Sequence, residues 1–441
     1  MKDFLSKTAH LNRSIVSEDF EKTLDIINQR IPLTIHRYPT GKKCFDWILP
    51  KKWVIRDAYI KDESGRKVLD WKKNPLHVVI GSLPIDKKIS REELFKKIYV
   101  SDDCPDLIPY KFKFYELDWG FCMAKNKRDE IKGDSFTVFI DSEYVDGDLL
   151  VGEHIIKGEN EKSIILMAHL DHPAQVNDGL AGAAALIELA ELLKGTKPTY
   201  TLKFQFLPER IGSIAYLHHN YKKINEILGG IFCEMPGTPN YPVVLQYSKW
   251  KNTRLDRITK YVLENSGKKV VFADCFNQVI NDDGFYNSPG IDIPCISLSR
   301  SKPLEINKWY HFPFYHTSGD NIENFDFNQA EEFLSILKEI IFILNQDRKI
   351  IRKYDGVPHL SRHNLWVDLQ LDPELSKKIE MILCELDNRT SIFDICEKYD
   401  IDFNKISEFI YKLKNANLIE LGSTELIWFN PDNPFNKLAS R

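Results

Sequence analysis

Four consecutive apolar residues, Ile164, Ile165, Leu166 and Met167, run from Ser163 into His169, which predicts a short strand covered on both faces, as in a parallel sheet. Asn177-Asp178-Gly179 then turns the chain, and the apolar stretch 180–193, followed by Gly195, predicts a helix. The alternation continues: strands are expected at 163–169, 201–207, 230–234, 270–273 and 293–298, and helices at 180–193, 213–227, 253–265 and 327–345. Asp326 with Gln329 predicts a capping box for the last helix. Such an order implies a mainly parallel sheet with helices on both faces. Thr201 to Phe206 alternates polar and apolar positions, so that strand is expected to be half exposed or antiparallel.

Before this region, Phe20, Leu24, Ile27 and Ile31 predict a helix over 17–31 that ends at Pro32. Short strand patterns follow at 53–60, 67–71, 76–80, 109–115, 121–123 and 136–141, with a hairpin turn at Asp62-Glu63-Ser64-Gly65 and a helix only near 91–100. After a polar linker at 349–363 come three amphipathic helices, about 373–386, 391–399 and 404–415, and two strand-like pieces at 418–421 and 426–429. Three helices and a hairpin form the winged-helix order.

The length of 441 residues requires two or three domains, and 43% apolar with 12% aromatic residues describes a folded chain. A net charge of -4 gives no general attraction to nucleic acid or anionic lipid. Residues 363–441 carry nine Lys and Arg against fourteen Asp and Glu, the reverse of a DNA reader's basic footprint, so the expected role there is packing or interaction and no nucleic-acid partner is expected. No segment has the length and apolarity of a signal peptide or membrane span, and the eight cysteines include no CxxC pair. A cytoplasmic, reduced protein is the expectation. Aromatic strands near 110–115 leave room for a homo-oligomer.

The chemistry-bearing residues cluster at predicted strand ends. His169, Asp171 and His172 follow the first strand, Glu209 the second and Glu234 the third, while Asp282 and Asp283 precede 293–298 and His316 lies in the loop before the last helix. In a parallel sheet these loops open on one edge, where ligands bind. Imidazole and carboxylate suit zinc. Each residue also has a plainer reading: Asp178 as a helix cap, Glu209 with Arg210 as a surface ion pair, Asp282-Asp283-Gly284 as a turn.

With His169-Leu170-Asp171, Asn177-Asp178-Gly179, Glu209, Glu234 and Tyr315-His316 in this order, the chain resembles the zinc aminopeptidase family of bacterial leucyl aminopeptidases, glutamate carboxypeptidases and glutaminyl cyclases. More narrowly, Trp47-Ile48-Leu49-Pro50-Lys51-Lys52-Trp53, Trp119-Gly120-Phe121-Cys122, His172-Pro173, Ser288-Pro289-Gly290 and His316-Thr317-Ser318 make it similar to a bacterial aminopeptidase-like group with a β-rich insertion and a C-terminal winged helix. The resemblance implies a three-layer α/β peptidase domain at 1–44 and 151–350, an inserted β-rich domain at 45–150 and a winged-helix domain at 360–441. It implies one or two zinc ions held by Asp178, Glu234, His316 and His169 or His172, the last two both being carried as candidates. Asp171 would orient a ligating imidazole, Glu209 would act as general base, and Asp282 or Asp283 would bind the amino group of a small peptide or amide substrate. Asp320 is expected to orient or cap near His316. Two departures stand out: Arg210 replaces the family's second Glu, a metal ligand, and Glu234 replaces an Asp. The expected activity is hydrolysis of an amide or peptide bond by metal-activated water; the alternative is a non-hydrolytic metal- or ligand-binding protein with a peptidase fold and an assembly role.

Overall fold

A computed structural model describes residues 1–113, 116–304 and 311–424, and the chain divides into two compact units. The first, residues 1–249 and 268–335, is built on an eight-stranded sheet. Its strands in chain order are β1 (Thr34–Pro39), β2 (Asp148–Ile156), β3 (Ser163–His169), β4 (Thr201–Leu207), β5 (Ile227–Glu234), β6 (Val243–Gln246), β7 (Val270–Ala273) and β8 (Cys295–Arg300). They lie in the order β1-β2-β4-β3-β5-β8-β6-β7. The four central strands, β4, β3, β5 and β8, are parallel, so His169, Leu207 and Glu234 end on one edge. This is the large, mainly parallel sheet the apolar runs predict.

The alternation in β4 has another cause than exposure. β4 pairs parallel with β3 and antiparallel with β2, and all its residues but Lys203 are buried. Gln205 is inside because its amide donates to Glu153 Oε1 on β2 at 3.0 Å, a buried polar pair that satisfies both groups. The helix Leu180–Leu192 is apolar almost all round and buried against β3 and β5. A Cβ at Gly182 would stand 2.1 Å from the Cys233 carbonyl oxygen, so only glycine permits this approach of helix to sheet. The expected helix 213–227 is two elements, an α-helix Ile211–His219 and a 3-10 helix Tyr221–Glu226. The capping box expected before Phe327–Gln346 is half formed: Asp326 Oδ1 accepts from the Gln329 amide at 3.2 Å, while its own amide donates to the Gly237 carbonyl.

Between β1 and β2 the strands Lys67–Asp70, Lys52–Lys61, Ser135–Val145 and Ile85–Ser90 form a four-stranded antiparallel sheet in that order. The turn at Asp62 to Gly65 closes the expected hairpin. The stretch expected as a strand at 76–80 is instead entered by a 3-10 turn, Pro75–His77, because Asn74 caps the Leu76 amide and Pro75 fixes the backbone. Residues 109–113 make isolated bridges only, and the helix near 91–100 is limited to Arg91–Phe95.

The second unit comprises residues 250–267 and 336–441. Its helices Pro373–Glu385, Ile392–Tyr399 and Phe403–Asn415 match the three expected ones. The strand Ile419–Gly422 pairs antiparallel with Lys349–Arg352, part of the stretch expected to be linker. The strand expected at 426–429 lies outside the described residues. Arg254 is buried and donates to Asp347 Oδ2 at 2.6 Å and Ser391 Oγ at 2.8 Å, tying the start of its helix to that of Ile392–Tyr399. Among the described residues no helix is long and apolar enough to cross a membrane.

Candidate functional site

His169 closes β3, and the loop after it carries Asp171, His172 and Asp178 before the helix begins at Leu180. The cap position of that helix is Gly179, and no side chain caps it. Asp178 is therefore not spent as an N-cap; its amide is held by Asp320 Oδ2 at 3.0 Å and the neighbouring Asn177 amide by Asp320 Oδ1 at 2.8 Å. Asp320 thus fixes the Asp178 loop, whereas the sequence reading set it to orient or cap near His316. Gly179 has φ +106, and a Cβ there would meet the His169 ring at 3.0 Å, so glycine lets the loop fold onto that imidazole.

The expected residues converge. Asp178 Oδ1 lies 3.4 Å from His169 Nε2, and Asp178 Oδ2 lies 3.1 Å from His172 Nδ1 and 3.0 Å from His316 Nε2. Glu234 Oε1 is 3.0 Å from His169 Nε2, and Glu209 Oε2 is 2.9 Å from His172 Nε2. Asp171 Oδ1 accepts from the Glu209 amide at 2.7 Å and stands 3.5 Å from His169 Nδ1.

Electrostatics follow from burial and proximity. Burial opposes charge on His169, but Asp171, Asp178 and Glu234 lift it well above the usual histidine range. At His172 burial is likewise outweighed, by Asp178 and Glu209, and the ring is raised to about 10. Against burial, the neighbouring imidazoles of His172, His169 and His316 hold Asp178 well below the usual carboxylate range. Against desolvation, His172 draws the half-buried Glu209 down to about 2, while burial pushes Glu234 up.

Several inward atoms still have no hydrogen-bond partner among the described residues: both oxygens of Asp178, Glu234 Oε2, His172 Nδ1 and His316 Nε2. Buried acceptors and ring nitrogens left this way are costly unless something else binds them. Ligand atoms of His169, His172 and Asp178 all lie within 4.8 Å of one another. Donors about 2.1 Å from a tetrahedral zinc are roughly 3.4 Å apart, so the set fits a cation of that kind.

Other expected residues are placed differently. Asp282 and Asp283 are completely buried, so neither is accessible to the amino group they were expected to bind. Asp282 Oδ1 accepts from the Arg210 amide at 2.9 Å and Asp283 Oδ2 from Gln246 Nε2 at 2.8 Å, and burial raises their carboxyls to about 8 and about 7. Arg210 turns its guanidinium to the Ile280 carbonyl and stands 3.9 Å from Glu209, whose nearer partner is His172. Two residues carried no local sequence signal. Arg13 is fully buried and donates to the carbonyls of Leu170, His172 and Gln175, clamping the loop. Tyr110, from the segment between β1 and β2, packs its ring against His172 and His316. Only the assembled fold reveals either.

The chain is similar to several known proteins. A Clostridium acetobutylicum protein, whose name assigns it provisionally to polysaccharide biosynthesis with an aminopeptidase-like domain, is 33% identical over 419 residues, 93% of each chain. A crystal structure of a provisionally named peptidase from Clostridium acetobutylicum matches with a TM-score of 0.86 and 32% identity over 95% of both chains. The zinc aminopeptidase of Bacillus subtilis has a TM-score of 0.56 at 14% identity, covering 77% of this chain and 94% of that one, a likeness of fold. Residues 2–347 match the family model described as a domain of unknown function, DUF4910. The chain accordingly belongs to the DUF4910 family and carries a sheet of the zinc-aminopeptidase kind.

Proposed function

We propose that this chain is a zinc-dependent, aminopeptidase-like hydrolase that cleaves an amide or peptide bond beside a free or modified amino group. The observation that carries the reading is Asp178, a buried carboxylate that faces three imidazoles and caps nothing. His169, His172, Asp178, Glu234 and His316 would hold the metal. When bound there, zinc supplies polarisation of the scissile carbonyl and acidification of a water. Asp171, whose Oδ1 stands 3.5 Å from His169 Nδ1, would orient that ring. Glu209 takes the proton from the attacking water and passes it to the leaving amine. The aminopeptidase-like domain in the name of the Clostridium acetobutylicum relative supports the same class.

A second reading, binding of metal or a small molecule without hydrolysis, is favoured by one observation: Glu209 Oε2 is engaged by His172 at 2.9 Å, and Arg210 supplies no second carboxylate. Metal analysis of the purified chain, followed by hydrolysis of a panel of aminoacyl amides, tests both. Zinc uptake with turnover supports the hydrolase; zinc uptake with no turnover across the panel supports the binder. A chain that neither holds zinc nor gains it on titration sinks the hydrolase and the metal-binding form of the second reading.

A further inference from the structure

His169 and Glu234 are the last residues of sheet strands, so their backbones are fixed by the ladder. His172 and His316 stand on loops, and those two are the ones met by the segment inserted between β1 and β2. Its residues 108–110 run antiparallel to residues 316–318. The Ser318 amide donates to the Ile108 carbonyl at 2.8 Å, the Tyr110 amide to the His316 carbonyl at 2.8 Å, and the Ile108 amide to Ser318 Oγ at 3.0 Å, with Pro109 bridged to Thr317. His316 sits at φ +55, a left-handed conformation that a non-glycine residue keeps only when its surroundings impose it. The paired strap is such an imposition.

The side chain completes the arrangement. Tyr110 is 4% exposed, with its ring 5.1 Å from that of His172 and 5.0 Å, edge-on at 84°, from that of His316. The two imidazoles are themselves 5.3 Å apart and nearly perpendicular. Tyr315 also stacks on His316 at 3.9 Å. His316 is thereby in contact with two tyrosine rings, and His172 with one of them. The same strap lines a cavity of about 930 Å³ together with His311, Tyr315 and His316.

Resting on the metal reading of the site, we infer that the inserted segment is a component of the metal centre and that Tyr110 is a positioning residue, whose ring sets the imidazoles of His172 and His316 for a cation. Groups that orient metal ligands typically contribute roughly 10- to 100-fold in affinity. The ring is the active feature, so Phe should replace Tyr and Ala should not.

The test titrates the full-length metal-free chain with Co²⁺, following the visible absorption of the bound ion and its affinity against a competing chelator. Tyr110→Ala should weaken binding roughly 10- to 100-fold and alter the absorption spectrum, Tyr110→Phe should stay within about threefold of wild type, and Ser318→Ala, which removes one strap hydrogen bond, should lose affinity by a few-fold. Should Tyr110→Ala not fold, Tyr110→Leu and Ser318→Ala carry the comparison. Wild-type affinity in the Ala or Leu and the Ser318→Ala variants overturns the inference, as does an equal loss in Tyr110→Phe and Tyr110→Ala. A wild-type chain that takes up no cobalt overturns the metal reading itself and this inference with it.

Discussion

Asp178 Oδ2 lies 3.0 Å from His316 Nε2, although one residue follows β3 and the other follows β8. The same carboxylate meets His169 and His172, and neither of its oxygens has a hydrogen-bond partner among the described residues. If Asp178 is the central anionic ligand of the proposed zinc site, Asp178→Asn should lower zinc affinity at least about 100-fold. Chelator competition measures the loss, with far-UV circular dichroism to show that the variant is folded. Unchanged affinity would remove Asp178 from the metal site.

Glu209 distinguishes catalysis from binding. Its carboxylate is only partly exposed and its nearest partner is His172, so a neutral isostere keeps the shape while losing the proton acceptor. Glu209→Gln should reduce turnover of a hydrolysed aminoacyl amide by about 10²- to 10⁴-fold with metal content unchanged. Equal rates in the two proteins would assign the activity to another base.

The parts legible in the sequence are those decided by short-range pattern. The run 164–167 and the helix from Leu180 were readable because burial on all sides leaves an unbroken apolar record. β6, Val243–Gln246, is buried throughout and was not among the expected strands. Lys349–Arg352 read as linker because its strand character depends on a partner at Ile419–Gly422, far along the chain. The order of His, Asp and Glu at strand ends pointed to the candidate site, since topology forces parallel strands to open on one edge. Asp282 and Asp283 show the limit: their residue type suggested an amino-group site, but what they do depends on burial, which no local pattern records.

Asp283 supplies a pH test. Burial raises its carboxyl to about 7 from an ordinary value of 3.8, with Gln246 as its partner. Below the unfolded value both states are protonated and the group costs nothing. As pH rises toward 7 the unfolded chain releases this proton while the folded chain retains it, so stability falls by up to about 1.4 kcal/mol per pH unit, then levels off. Asp283→Asn should remove that slope and be more stable than wild type near pH 8, with the difference closing toward pH 4. Urea unfolding across this range reads it, and parallel curves for the two proteins would show that Asp283 is ionised in the folded state.

Arg13 connects the first residues of the chain to the histidine loop. It is fully buried, and although burial lowers it to about 10, it remains charged at neutral pH. Its guanidinium donates to the carbonyls of Leu170 at 2.7 Å, Gln175 at 3.0 Å and His172, on both sides of Asp171. A planar fork can serve several carbonyls at once; an ammonium reaches fewer, and an apolar chain none. Each buried carbonyl left unpaired costs about 1–3 kcal/mol, partly offset by no longer burying a charge. Arg13→Met should therefore lose about 3 kcal/mol or more and Arg13→Lys a smaller amount, in that order of urea midpoints. Because the same carbonyls frame His172, both variants should also bind zinc more weakly than wild type when assayed well below their unfolding transitions. If Arg13→Met matches wild type in both measurements, the loop is held by Asp320 from the other side, and the clamp from the N-terminal segment is dispensable.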